Sequence, residues 1–195
     1  ELSTRSNDEA LPITREALAQ RLRAEGCDAR RTGENIVHPE GFRRAKFLVL
    51  RLKKGGLLWC AMDAKEWIWM TRSITGRSLD NVAGNESVAM VRDSNRVARR
   101  MAYLTKLARA RGAQDGWITT NSSLLPEFGP VARLGEDRGV LHIRTPLCAY
   151  GAPTLRRVRL WGTSTMIPGL WRRCEHVLGH EGDAWTKKEK QWTTA

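Results

Sequence analysis

The chain has 195 residues, 41% of them hydrophobic, and its 33 Lys and Arg against 21 Asp and Glu give a net charge of +12. This length suffices for one domain with its own core, and the composition excludes a collagen-like, low-complexity or disordered chain. The longest apolar run, residues 55–62, is far shorter than the ~18 residues that cross a bilayer, so we expect no membrane-spanning helix.

The N-terminal quarter predicts a flexible segment followed by two helices. Residues 1–12 are polar and lack a helical pattern. Thr14 is a suitable N-cap for a first helix, which Gly26 ends. A short strand over residues 27–31 and a second helix over residues 42–53 follow.

The central part predicts a strand, a long excursion, a long helix and a second strand. Residues 57–62 are continuously apolar, which is typical of a strand buried in a parallel sheet. Residues 63–84 carry polar groups such as Arg72, Ser73 and Thr75 and indicate a long surface excursion, where binding sites often lie. The apolar positions of residues 85–111 share one helical face, and a strand over residues 117–120 completes a parallel crossover unit.

The C-terminal part predicts strands near residues 140–143 and 158–161, which we expect to form an antiparallel pair at the sheet edge. The segment beyond residue 179 is polar. These patterns divide the chain into a flexible segment (1–12), one Rossmann-like α/β domain (13–178) and a polar tail (179–195).

Basic residues concentrate in three places, and the net charge favours a polyanionic partner. One face of the long helix carries Arg92, Arg96, Arg99, Arg100, Lys106 and Arg109. The excursion carries Arg72 and Arg77, and a late turn and strand carry Arg156, Arg157 and Arg159. The helical face is either a solvated surface or a track for phosphates.

Tryptophans fall into two groups. Trp59, Trp117 and Trp161 lie in predicted strands and belong to the core. Trp67 and Trp69 lie in the excursion beside arginines, so they either stack on bases or pack as a lid on the sheet.

The four cysteines, Cys27, Cys60, Cys148 and Cys174, contain no CxxC pair, which favours a reducing compartment such as the nucleus, the cytoplasm or an organelle interior. Cys174, His176 and His180 form a C-x-H-x3-H pattern that supplies three potential zinc ligands. Gly179 and Gly182 disturb a helix there, and a fourth ligand would have to come from Glu181, Asp183 or elsewhere, so ordinary exposed or hydrogen-bonded histidines are the favoured interpretation.

Three segments in chain order carry a family resemblance. Residues 148–161, CAYGAPTLRRVRLW, have a Cys-x-Tyr-Gly turn before a basic strand, and residues 57–78 and 117–125 each have a strand followed by a polar loop. Together they resemble DNA cytosine-5 methyltransferase-like proteins, in the divergent form found with algal and protist mobile elements. The resemblance covers roughly residues 26–175. It implies a methyltransferase-type doubly wound sheet with a terminal antiparallel strand pair, with or without its first strand.

Cytosine methylation needs a Cys thiolate that attacks the ring and a Glu that holds the flipped base. The resemblance aligns Ala64 with the nucleophile and Thr120 with the glutamate, and neither side chain can replace the original. Cys60 becomes the nucleophile only if this alignment is shifted, and its apolar strand predicts a buried thiol. Residues 1–25 contain no glycine, so S-adenosylmethionine would bind only if a donor-binding strand precedes Glu1.

The sequence therefore predicts a catalytically inactive, methyltransferase-like domain that acts as a basic binding or scaffold subunit. Its expected partner is nucleic acid or the acidic surface of a larger assembly, without a resident cofactor or metal. Two alternatives stay open: a fragment of an active DNA or RNA cytosine methyltransferase, and an accessory structural subunit of an organellar complex.

Overall fold

The computed structural model describes residues 2–3, 35–62, 65–152 and 155–174. The strands are β1 (Leu2–Ser3), β2 (Leu57–Ala61), β3 (Gln114–Thr120), β4 (Leu141–Pro146) and β5 (Arg157–Gly162). The α-helices are α1 (Pro39–Leu50), α2 (Arg72–Thr75), α3 (Ala89–Ala110) and α4 (Gly129–Gly135). Short 3-10 turns cover Lys65–Trp67, Trp69–Thr71, Leu125–Glu127, Leu147–Tyr150 and Pro168–Leu170.

The strands form one open, mixed sheet in the order β1-β2-β3-β5-β4. The first three strands are parallel, whereas β5 runs antiparallel to both β3 and β4. Because β5 opposes both neighbours, β4 runs in the same direction as β3. The carboxyl ends of β2, β3 and β4 therefore lie at one edge of the sheet, which we call the carboxyl edge.

The two faces of the sheet are covered differently. On one face, buried residues of α1, α3 and α4 pack against the sheet side chains Leu58, Cys60, Met62, Trp117 and Trp161. The other face carries a smaller apolar cluster in which Trp59, Ile118, Val158 and Leu160 meet the turn residues Leu147, Ile167 and Leu170. The described part of the chain thus places its longer helices on a single face, while the helix expected after Thr14 lies outside it.

The predicted second helix, the long helix and the four strands from residue 57 onward are confirmed in order, including the parallel crossover and the antiparallel pair, whereas the short helices α2 and α4 were not predicted. Helix α1 begins three residues earlier than expected because Pro39 suits the first helical turn. Helix α3 begins four residues later because Asn85 Oδ1 accepts hydrogen bonds from the backbone N and Oγ of Ser87, which holds a turn there. No described helix is long and apolar enough to span a membrane.

The N-terminal expectation needs one correction. Residues 2–3, predicted to be flexible, pair with β2, with Leu2 opposite Cys60 and Ser3 opposite Ala61. The free edge of the buried strand β2 provides the backbone partners for this pairing. The rest of residues 1–12, the strand expected at 27–31 and the tail at 179–195 lie outside the described residues.

Candidate nucleic-acid interface

Loops from three strands meet at the carboxyl edge. The backbone N of Leu124 donates to the carbonyl of Trp67 at 2.8 Å, which joins the loop after β3 to the loop after β2. Asn121 N donates to the Arg157 carbonyl at 3.0 Å, and Leu147 N donates to the Arg156 carbonyl at 2.7 Å. These bonds make the excursion, the loop after β3 and the start of β5 into one continuous surface.

Four predicted binding residues lie on this surface. Trp69 is 54% exposed, and the Arg72 guanidinium stacks over its ring at 3.5 Å. Arg156 and Arg157 are exposed at the start of β5. We call these four residues the edge patch; they combine an accessible aromatic face with three cations at the edge where open α/β sheets bind ligands.

Two other candidates of the excursion lie in the interior, which corrects the predicted binding role of Arg77 and argues against base stacking on Trp67. Trp67 is fully buried and packs edge-to-face on Phe128, with ring centroids 5.2 Å apart. Arg77 is only 1% exposed and its guanidinium stacks on Trp67 at 3.6 Å. The lid interpretation therefore holds for Trp67, and neither side chain can reach an external ligand.

Arg77 is held by hydrogen bonds as well as by stacking. Its Nη1 donates to the carbonyls of Val82 (2.5 Å) and Ala83 (3.2 Å), and its Nη2 donates to Ser94 Oγ and Asn95 Oδ1, both at 2.8 Å. Burial lowers the pKa of Arg77 to about 10, so the side chain stays charged at neutral pH. The guanidinium fastens the excursion to α3.

The basic face of α3 is partly neutralised by partners that the sequence did not reveal. Arg96 pairs with Asp93 at 3.2 Å and Arg99 pairs with Glu86 at 2.8 Å. Both remain exposed, but their charge is already compensated.

Two more arginines of α3 are engaged in tertiary contacts, which corrects their assignment to a binding surface. Arg100 Nη1 donates to the carbonyls of Ile36 and Val37 at 2.7 Å each. Arg109 forms a bidentate ion pair with the fully buried Asp115. Of the predicted track, Arg92 and Lys106 are exposed and have no ion pair within the described residues.

The positions related to catalysis provide no nucleophile in the described part of the chain. Cys60 is buried in β2, with its Sγ 3.7 Å from Thr105 Oγ1, and burial raises the pKa of its thiol to about 12. Thr120 ends β3 half-buried, and its Oγ1 has no hydrogen-bond partner among the described residues. Ala64 lies outside the described residues.

The metal candidate is only partly described. Cys174 is half-buried and its thiol contacts that of Cys148, where burial and then Cys174 raise the Cys148 pKa. His176 and His180 lie outside the described residues. Within the described ranges no group of three His, Cys, Asp or Glu side chains is arranged to hold a metal.

The structure also shows a cleft of about 710 Å³ that sequence reasoning missed. It lies beside the terminal strand β4 and is lined by Glu127, His142, Ile143, Arg144, Arg159 and Trp171. Arg159 was expected on an open basic surface, but its side chain is 22% exposed and belongs to this cleft. The only signal in the sequence was the alternation of His142 and Arg144 along β4.

The chain matches no protein-family model, curated protein or solved structure. Inferences about its function therefore depend on the geometry and charge of the carboxyl edge and the cleft.

Proposed function

We propose that this chain is a non-catalytic, methyltransferase-like domain that binds single-stranded nucleic acid with the edge patch. The observation that carries the proposal is the placement of exposed Trp69, with Arg72 stacked on it, at the same sheet edge as Arg156 and Arg157. Single strands bind where cations contact phosphates and aromatic rings receive unpaired bases.

The energies of such contacts favour binding of a single strand by the edge patch. Stacking of a base on an aromatic side chain contributes ~1–3 kcal/mol and does not depend on sequence. Arg72 already lies over one side of Trp69, so a base would stack on the other side or replace the guanidinium, which would then turn to a phosphate. Arg156, which immediately precedes β5, and Arg157, its first residue, lie along the same edge and supply the phosphate contacts.

The methyltransferase-like part of the proposal is supported by topology. An antiparallel strand, β5, lies between β3 and β4 at one end of an otherwise parallel sheet, as the resemblance implies. The non-catalytic part is supported by the buried, protonated thiol of Cys60. The proposal includes no cofactor; S-adenosylmethionine belongs only to the alternative of an active methyltransferase.

The test measures binding of a fluorescently labelled 12-nucleotide single strand over a series of salt concentrations. Each lost phosphate contact makes the slope of log affinity against log salt less steep by about 0.7. We expect the double variant Arg156→Gln/Arg157→Gln to reduce the slope by about 1.4 and Trp69→Ala to weaken binding at every salt concentration with the slope unchanged.

The matched control is Arg111→Gln/Arg138→Gln. Both arginines are exposed and shortly precede β3 and β4, at the opposite edge of the sheet, so the control removes the same charge from a different place. Equal losses in the two double variants would show binding by net charge alone and would overturn the proposal. Absence of binding at low salt would overturn it as well.

A protein partner is the second candidate, because the excursion also exposes aliphatic side chains. Met70 is 85% exposed, and Ile74 and Leu79 are exposed nearby in sequence. Exposed apolar clusters commonly mark protein contacts. No affinity for DNA or RNA at low salt, together with a stable complex lost in Met70→Ser/Leu79→Ser, would favour this function.

An active methyltransferase predicts a different result. If the chain transfers a methyl group from S-adenosylmethionine to DNA or RNA, and Cys60→Ala abolishes this activity, the chain is an active methyltransferase and the proposal is contradicted.

A further inference from the structure

The cleft beside β4 is open to solvent and large enough to hold a small ligand. Its volume of about 710 Å³ lies within the range of ~300–1,000 Å³ that is typical of ligand pockets. Cationic, aromatic and apolar side chains all contribute to its lining. None of the four edge-patch residues contributes to this lining, although Arg157 lies two residues from Arg159 along β5.

Two arginines form the positive part of the cleft. Arg144 of β4 and Arg159 of β5 are directly paired across the antiparallel ladder, so their side chains lie on the same face of the sheet. Like charges directly opposite each other destabilise a sheet unless an anion lies between or beside them.

The protein compensates this charge only in part. Glu127 Oε1 lies 3.5 Å from Arg159 Nη1, and Arg144 has no ion pair within the described ranges. Arg159 Nε is buried and lacks a hydrogen-bond acceptor in the same part of the chain. One uncompensated positive charge and several unused donors therefore remain, an arrangement that suits a phosphate.

Aromatic residues form the rest of the cleft. The ring centroids of His142 and Trp161 are 6.3 Å apart, and those of Trp161 and Trp117 are 4.9 Å apart, with the rings stacked in both pairs. The two tryptophans therefore hold the His142 side of the cleft in place. Trp171 is 55% exposed in the lining, and the backbone next to it is held by a hydrogen bond from Arg172 N to Thr145 Oγ1 at 3.2 Å. A large exposed ring on an anchored backbone provides a stacking platform.

We propose that this cleft binds a nucleoside phosphate, with the phosphate between Arg144 and Arg159 and the base on Trp171. The ligand is either a free nucleotide or the phosphorylated end of a strand, since both present the same groups. The inference does not rest on nucleic-acid binding by the edge patch.

Calorimetric titration with four probes tests the ligand class: a nucleoside 5′-monophosphate, the matching nucleoside, ribose 5-phosphate and inorganic phosphate. We expect the monophosphate to bind at least about tenfold more tightly than each of the other three, because only it uses both the arginines and the ring. Equal affinity for all the phosphates would contradict a role for Trp171. Tighter binding of a 5′-phosphorylated than of a 5′-hydroxyl oligonucleotide would identify a strand end as the ligand; equal binding would identify the free nucleotide.

Variants locate the site. Arg144→Gln and Trp171→Ala should each weaken monophosphate binding by about tenfold, and the matched charge change Arg111→Gln should leave it unchanged. Glu127→Gln should strengthen binding about threefold or more, because it removes the carboxylate that competes for Arg159. A gain in affinity cannot arise from a misfolded variant. Unchanged or weaker binding in Glu127→Gln, or undiminished binding in Arg144→Gln, would overturn the inference.

Failure here is distinguishable from failure of the proposed function. For a 5′-hydroxyl oligonucleotide, Arg144→Gln should leave the slope of log affinity against log salt unchanged. The double variant Arg156→Gln/Arg157→Gln should leave the affinity for the monophosphate unchanged. If both variants weaken both ligands equally, the cleft and the edge patch form one site and the separate cleft site is contradicted.

Discussion

At the scale of single residues, arginines in this chain serve opposite purposes. Arg72 lies exposed on Trp69, whereas Arg77, five residues later, lies buried on Trp67 with four hydrogen bonds. The guanidinium suits the second role because its planar, forked donors can satisfy several acceptors while its face packs on a ring.

We expect Arg77→Met to lower the free energy of unfolding by about 3 kcal/mol, because the Val82 carbonyl and Asn95 Oδ1 would lose the guanidinium as their donor. Urea denaturation measures the loss. The control Arg92→Met changes an exposed side chain of α3 and should cost less than about 0.5 kcal/mol. Losses of the same size in both variants would show that Arg77 is not a structural anchor.

Cys60 predicts a dependence of stability on alkaline pH. Its pKa is raised from the ordinary value of 9.0 to about 12, so between these values the unfolded chain releases a proton that the folded chain keeps. The contribution of the protonated Cys60 thiol to the free energy of unfolding is therefore fully present below about pH 9. It is lost as the pH rises towards 12, by up to about 4 kcal/mol. Comparing unfolding of the wild type and Cys60→Ala at several pH values measures this. The variant should show a flatter decline; identical slopes would contradict burial of the thiol.

At the level of secondary-structure elements, β2 and β3 approach each other closely where a large ring lies beside a glycine. Gly116 of β3 lies opposite Trp59 of β2, and a Cβ at Gly116 would come within 2.3 Å of the Trp59 ring. The indole thus occupies space that only glycine leaves open. Because Trp59 is itself buried, the ring has little room to move aside.

We therefore expect Gly116→Ala to destabilise the fold by about 1–3 kcal/mol, the usual cost of overpacking. Gly129→Ala is the control: nothing lies within 4 Å of its Cβ position, at the start of α4. That change should be neutral or slightly stabilising because it restricts the unfolded chain. Thermal unfolding compares the two, and equal midpoints would contradict the close packing of Trp59.

A network of polar contacts around the buried Asp115 joins parts of the molecule that are distant in sequence. Arg109 of α3 binds both carboxylate oxygens of Asp115 in β3, at 2.7 and 3.0 Å, and also Asp137 at 2.5 Å. Thr163, just after β5, donates from Oγ1 to Asp115 Oδ1 at 2.7 Å. One hydrogen-bond network thus connects α3, β3, the residue that follows β5 and the loop after α4.

Removing the charge of Asp115 should weaken all four parts together. We expect Asp115→Asn to lower the free energy of unfolding by about 3–5 kcal/mol, because the Arg109 guanidinium would lose its main buried partner. Asp93→Asn breaks an exposed pair with Arg96 and should cost less than about 1 kcal/mol. Chemical denaturation of both variants measures the difference, and similar values would show that the network is not structurally important.

Sequence patterns were sufficient to predict α1, α3 and the strands β2 to β5 in their order, because apolar periodicity over a long element reports which faces are buried. The short helices α2 and α4 were missed because four and seven residues are too few to show such a period. It also placed Trp59, Trp117 and Trp161 in the core. The ends of α1 and α3 differed from prediction because local turn bonding, not periodicity, sets where a helix begins.

Which cations are free to bind depends on tertiary contacts. Arg77, Arg96 and Arg99 look alike in the sequence, but one is buried and two are paired. The cleft likewise exists only because β5 returns between β3 and β4, which brings Glu127 and Arg144 to Arg159. A cation is compensated by the carboxylates, carbonyls and rings within a few ångströms of it. Folding, and not position along the chain, decides which groups these are.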